Sequence, residues 1–267
     1  MGLVFLFPKD DLFYAEDWGA RGMRLIINAD DYGMRPTIDA AVEHLLHCGV
    51  LTSASLMVTG ASAREAAQFL VKHAQFGAGL HLNLDDIFSG AGFGKDDHGS
   101  FLVPDIFFEQ EEVRAAIRER LAEQFALFVR MVGRAPDHVN GHRHVHLFPP
   151  VLALMMPLMK EYAVPCIRFF PGFYAEPPQA ASIRDLLNEN ALVYTELCIQ
   201  GPHLPASELA CSAELMVHIA LPASAEQKSR LREYAALADE SFLRDIRASG
   251  YVCCSFADLA AAGRQGE

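Results

Sequence analysis

The segment Leu25-Ile26-Ile27-Asn28-Ala29-Asp30-Asp31-Tyr32-Gly33 ends an apolar run in two adjacent carboxylates and a turn glycine. Neighbouring acids at a strand end repel each other and lose solvation, so a charge of opposite sign must offset them, and a divalent cation held by one of them does so. Histidines stand at similar strand ends. In Gly79-Leu80-His81-Leu82-Asn83-Leu84 the leucines alternate with His81 and Asn83, which sets an imidazole and an amide together opposite the core. From Asp137 to His146 every even position is polar, so an extended chain would put His138, Asn140, His142, His144 and His146 on one face. His142, following a glycine, is the first choice as a ligand and His144 the second, with the remainder supporting the ion or touching substrate. His218 near the end of an apolar strand could protonate a leaving group or be a hydrogen-bonded core histidine. One carboxylate and two neutral imidazoles suit zinc or another divalent ion, and a second acid beside the ion can accept a proton from attacking water. There is no GxSxG elbow, and no cysteine sits in a nucleophile context. These residues point to a metal-dependent hydrolase.

Repeated strand and helix patterns must carry them. Strands are expected at 24–28, 53–58, 77–84, 137–141, 166–169, 191–195, 214–219 and 251–255. Helices are expected at 36–49, 61–73, 109–132, 149–162 and 224–249, with a small one at the end. Residues 85–108 read as a long rim loop whose Phe88, Phe93 and Phe101 offer aromatic surface to a ring, and 171–187 has no clear pattern. Six to eight βα units with right-handed crossovers predict a single α/β domain at 23–267, a distorted or incomplete (β/α) barrel, with a doubly wound sheet as the alternative. Residues 1–22 read as an N-terminal extension rather than a signal peptide, because acids follow a short apolar start without a basic region.

Composition narrows the partners. At 267 residues, 51% hydrophobic and mean hydropathy +0.14, the chain can bury a large core. A net charge of -12 argues against nucleic acid, and no run approaches the ~18 apolar residues of a membrane span. Six cysteines without CxxC spacing fit reduced thiols in a cytoplasmic protein. No GxGxxG follows the first strand and no Walker A pattern is present. A homo-oligomer is compatible with all of this.

Four motifs in order, Asn28-Ala29-Asp30-Asp31-Tyr32-Gly33, Gly49–Val58, Gly79-Leu80-His81-Leu82 and the histidine cluster ending in Phe148-Pro149, resemble the YdjC/ChbG-like carbohydrate deacetylases. The likeness is strong over 24–150 and weaker to Leu259. It implies a polysaccharide-deacetylase-like barrel with one divalent metal, Mg2+ or Zn2+, that removes acetyl groups from N-acetylated amino sugars. Val139-Asn140-Gly141-His142 is similar to the Val-Asn-x-His of the hopanoid-associated branch, which implies an N-acetylglucosaminyl glycolipid as an alternative to a chitooligosaccharide. Carried over by motif, Asp31, His81 and His142 hold the metal, Asp30 is the base and His218 the acid. Arg168 orients Asp30 or the sugar, while Asn83, Asn140, His144 and His146 support the metal or bind substrate. The family's Asp-Ser-His-His-His is Asn140-Gly141-His142-Arg143-His144 here, and its His-Pro-Gly is His218-Ile219-Ala220. Hydrolysis of another bond, such as a phosphoester, and a non-catalytic metal- or sugar-binding relative are the competing readings.

Overall fold

The computed structural model describes residues 23–95, 101–171, 177–203, 211–223 and 226–263, so the extension at 1–22 and His98 lie outside the described residues. In chain order the elements are β1 (Met23–Tyr32), α1 (Pro36–His47), β2 (Ser53–Leu56), α2 (Ala63–Lys72), β3 (Gly77–Leu82), α3 (Asp85–Gly90), α4 (Asp105–Glu109), α5 (Glu111–Val132) and β4 (His138–Gly141). A 3-10 segment (His142–Leu147) follows, then α6 (Pro149–Glu161), β5 (Cys166–Ile167), α7 (Pro177–Glu189), β6 (Leu197–Gln200), β7 (Ser212–Val217), α8 (Lys228–Leu237), α9 (Glu240–Ser249), β8 (Tyr251–Cys253) and α10 (Phe256–Gly263). The sheet runs β5-β4-β3-β2-β1-β7-β6, all neighbours parallel, and β8 pairs with the first residues of β1. It curls into a half-barrel flanked by helices, the incomplete barrel expected, in a single domain.

Parallel strands are buried on both faces, and here the two faces differ in chemistry. Leu25, Ile27, Ala29, Ala78, Leu80, Val139, Ala213, Leu215 and Val217 join the large core under the helices. The alternate positions Asn28, Asp30, Ser55, His81, His138, Asn140 and Glu214 are buried and hydrogen-bond among themselves or through Arg168. The concave side is therefore polar, floored by a small apolar cluster of Ile26, Cys166, Cys254 and Phe256. Because every strand is parallel, Asp30, Asp31, His81, His142, Arg168 and His218 all lie at carboxyl ends on one rim.

Several expectations need correction. Residues 85–108 are not a bare loop: α3 and the start of α4 lie within it, and Phe88 and Phe101 are buried in an aromatic cluster with Phe107, Phe108 and Phe148. Burying six-membered rings there gains more than an open loop would, so Phe88 and Phe101 offer no surface to a ligand. The expected helix 224–249 is two, α8 and α9, because Asp239 leaves the helix and its carboxylate caps Ser241 N at 2.8 Å. The expected strand at 191–195 is a single bridge between Cys166 and Val193, and β6 follows instead. The region 171–187 holds most of α7. No helix of the described residues is long and apolar enough to cross a membrane.

Asp39 in the first turn of α1 is buried and accepts Gly33 N at 2.7 Å, tying the helix to the turn after the two acids. Burial pushes its carboxyl up to about 6, partly offset by hydrogen bonds from Ser62 and Gly33 and reinforced by Glu43 and Glu65. A folded-state value above the ordinary 3.8 means the folded chain keeps a proton the unfolded chain has lost. The Asp39 contribution to stability is accordingly expected to fall as pH rises from about 4 to about 6 and then level off. In Asp39→Asn, which keeps the acceptor, that slope should vanish and stability near pH 7 should rise by up to ~3 kcal/mol. Urea denaturation at a series of pH values measures both.

Candidate metal centre

Adjacent strand residues point to opposite faces, so Asp30 and Asp31 cannot both reach one site from a regular strand. The backbone solves this with Asp31 at φ 63 and a register shift against β2 between Ala29 and Tyr32. A left-handed aspartate costs on the order of 1–2 kcal/mol and is held here by its surroundings. Gly33 then turns the chain at φ 87, where a Cβ would come within 2.9 Å of Leu56 Cδ1.

Asp31 Oδ1 lies 3.0 Å from His81 Nε2 and 2.8 Å from His142 Nδ1. These ligand atoms lie within 4.8 Å of one another and could hold a metal ion. The chemistry of the donors tests that fit. His81 Nδ1 lies 2.7 Å from Asn140 Oδ1, an acceptor, so the Nδ1 atom carries the hydrogen. In the neutral ring Nε2 is then a lone pair facing the Asp31 carboxylate, and it is a buried atom without a hydrogen-bond partner. Two acceptors facing each other in a dry site need a positive charge between them, and the ligands fit a cation. Without one, a proton takes that place: burial lowers the His81 value, but Asp30 and Asp31 outweigh it and hold it above the usual range. Asp31 is held well below the carboxylate range because the hydrogen bond with His142 and the positive charge His81 carries when protonated overcome the effect of burial. Its other oxygen takes a hydrogen bond from Arg230 Nη2.

Asp30 sits beside this group but faces a different partner. Arg168, fully buried just past β5, grips it with Nη1 to Oδ2 and Nη2 to Oδ1, each at 2.7 Å. Oδ1 also accepts Asn28 Nδ2 at 3.0 Å and Asn140 Nδ2 at 3.2 Å. Burial raises the carboxyl, yet Arg168 and His81 prevail and hold it well below the ordinary range. Glu214 shares the guanidinium, with Oε1 3.0 Å from Arg168 Nε and 2.5 Å from Nη2. His218 Nε2 stands 3.7 Å from Asp30 Oδ2, and its side chain is 25% exposed against 1% for His81. Burial lowers the His218 value further than Asp30 and Asp31 raise it, so the ring rests neutral.

The histidine run does not stay extended. Arg143 and His144 adopt left-handed conformations directly after His142, so the even positions past Asn140 no longer share a face. His144 packs its ring 5.0 Å from Phe170, and burial and the nearby Arg168 push it down to about 3. His146 is fully buried and donates through Nε2 to the Arg168 carbonyl at 3.1 Å, which places it behind the site rather than against a substrate. Asn83 starts α3 by accepting Asp85 N at 2.9 Å and donates to Thr59 at 3.3 Å. Reading by motif missed Arg230, Glu214, Asn28 and Ser55. Glu214 in an apolar strand was a visible signal; Arg230 in a charged helix carried none.

The sequence profile of the YdjC-like protein family matches residues 24–248. The chain belongs to that family. It is similar to a human protein named carbohydrate deacetylase, 36% identical over 155 residues, covering 53% of this chain and 47% of that one. A Serratia marcescens chitooligosaccharide deacetylase is 31% identical over 157 residues, covering 53% of this chain and 57% of that protein. In these two matches the chain spans about half the length of the curated relatives it matches. A Clostridium beijerinckii carbohydrate deacetylase matches more weakly but over its whole length, 24% identical across 254 residues and 89% of this chain. The crystal structure of an Enterococcus faecalis V583 protein provisionally named for cellobiose-phosphate cleavage shares the fold, with a TM-score of 0.66 at 20% identity, covering 89% of this chain and 99% of that one.

Proposed function

We propose that this YdjC-like protein is a metal-dependent hydrolase that deacetylates N-acetylated amino sugars, either a chitooligosaccharide or an N-acetylglucosaminyl glycolipid headgroup, in the cytoplasm. The observation that carries the reading is the buried His81 Nε2 facing the Asp31 carboxylate beside a second, separately held acid. The names of the relatives, carbohydrate and chitooligosaccharide deacetylases, supply the substrate class.

Asp31, His81 and His142 would hold the ion, and two imidazoles weigh toward Zn2+ over Mg2+. When bound, such an ion supplies a Lewis acid that polarises the acetamide carbonyl and makes water a better acid. Asp30 Oδ1 is filled by three donors, so Oδ2, which has Arg168 Nη1 and the more distant His218, has room to take the proton of the attacking water. Arg168 keeps that carboxylate ionised between turnovers, and Glu214 keeps Arg168 in place. A resting-neutral His218 must first receive the proton it later gives to the departing amine. Asp30 Oδ2, 3.7 Å away, is a source for it.

A panel of N-acetylated mono-, di- and oligosaccharides and an N-acetylglucosaminyl lipid, assayed for acetate with added Zn2+ or Mg2+, tests this. Acetate release from at least one amino sugar, abolished by chelator, is expected. Silence across the panel, or phosphate release from a phosphorylated sugar without acetate, would contradict it.

A further inference from the structure

Under the three ligands a buried chain of side chains crosses the concave face of the sheet. Its direction follows from counting donors. Both oxygens of Asp30 accept from Arg168, and Oδ1 also faces the amides of Asn28 and Asn140, so both amides must present Nδ2 to it. The same two nitrogens reach Ser55 Oγ, at 2.9 Å and 2.8 Å. Those bonds fill both lone pairs of the hydroxyl, which must give its own hydrogen to the remaining partner, His138 Nε2, at 3.0 Å. His138 Nδ1 then carries the ring hydrogen and donates to Asp137 Oδ1 at 2.5 Å, while Asp137 Oδ2 accepts Ala78 N at 2.7 Å. At the other end, the Asn140 orientation that serves Asp30 and Ser55 turns Oδ1 to His81 Nδ1.

The surroundings are shaped around this chain. His138 stacks on Phe256 with centroids 4.0 Å apart, and Gly79 makes room for the ring, since a Cβ there would come within 2.2 Å of Nε2. Asp137, His138 and Ser55 have the order of an acid–base–nucleophile triad, but Ser55 is fully buried and its lone pairs are taken, so it attacks nothing.

We propose that Asp137, His138 and Ser55 are positioning residues for the metal centre. Through Asn140 they hold His81 in the one tautomer that turns its Nε2 lone pair toward Asp31 and His142. This inference rests on the metal reading above. An outer partner of this kind typically changes metal affinity ten- to a hundred-fold.

The test is Zn2+ affinity of the purified full chain, read by competition with a chromogenic chelator, for wild type, Ser55→Ala, His138→Phe and the double variant. His138→Phe keeps a ring against Phe256 and removes both nitrogens. Leu45→Ala, in the large apolar core under the helices and not part of these hydrogen bonds, reports what lowered stability alone does to affinity. Each single variant is expected to bind Zn2+ about ten-fold or more weakly. The double variant should be no weaker than the weaker single, because either break severs the same chain, and Leu45→Ala should bind as wild type does. Unchanged affinity in the singles, additive losses in the double, or an equal loss in Leu45→Ala would overturn the proposal. Failure of the wild type to bind Zn2+ would overturn the metal reading and this inference together.

Discussion

Arg168→Met is expected to lower unfolding free energy by about 3–5 kcal/mol, measured as a shift in urea midpoint at constant slope. Arg168, Asp30 and Glu214 are each at most 1% exposed, so removing the cation strands two carboxylates in a dry interior. A methionine fills most of the volume, which separates the electrostatic loss from a packing loss. Lysine should recover little of it: its point charge cannot bond Asp30 through two nitrogens while also meeting Glu214. The double variant Arg168→Met with Glu214→Gln should regain part of the stability by removing one stranded charge. If Arg168→Met unfolds where the wild type does, the buried ion triad contributes nothing and Asp30 is held by its amide partners alone.

Asp30→Asn should leave bound metal near the wild-type level while acetate release falls by about 10²- to 10⁴-fold, the range for loss of a positioned base. The carboxylate is not among the three ligand atoms that converge, and its bonds run to Arg168, Asn28 and Asn140. An asparagine turns one NH2 toward donors that are already present, so a modest stability loss accompanies the change, and circular dichroism with metal analysis shows that the fold and the ion persist. Activity within ten-fold of wild type would remove Asp30 from the role of base. Loss of the metal together with activity would make it a ligand instead.

The parts of the site legible in sequence were those whose signal was local. Asp30, Asp31, His81 and His142 each end a strand pattern with period two, and parallel topology brings such ends to one rim. The mutual arrangement was less accessible, because it depends on backbone departures from that period. Asp31 in a left-handed conformation lets neighbouring acids serve one centre, and Arg143 and His144 in left-handed conformations divert the later histidines. Aspartate and histidine visit such angles more often than most residues, but far too seldom for Asp31 or His144 to announce it by type, and Arg143 gives no signal at all. Arg230 arrives from α8, 199 positions from Asp31, with a charge pattern indistinguishable from a solvated helix face. Ser55 and His138 gain meaning only from the bonds that cross three strands. In the fold, the phenylalanines of the rim were read as surface because a sequence cannot say that they meet one another.

The central claim, that Asp31, His81 and His142 clasp one cation beside an Asp30 that does not ligate it, is tested most directly by counting metal in the purified chain. After loading with Zn2+ and exhaustive dialysis, one ion per chain is predicted for wild type and Asp30→Asn, and far less than one for His81→Ala and His142→Ala. Equal metal content in all four, or none in the wild type, would contradict the account.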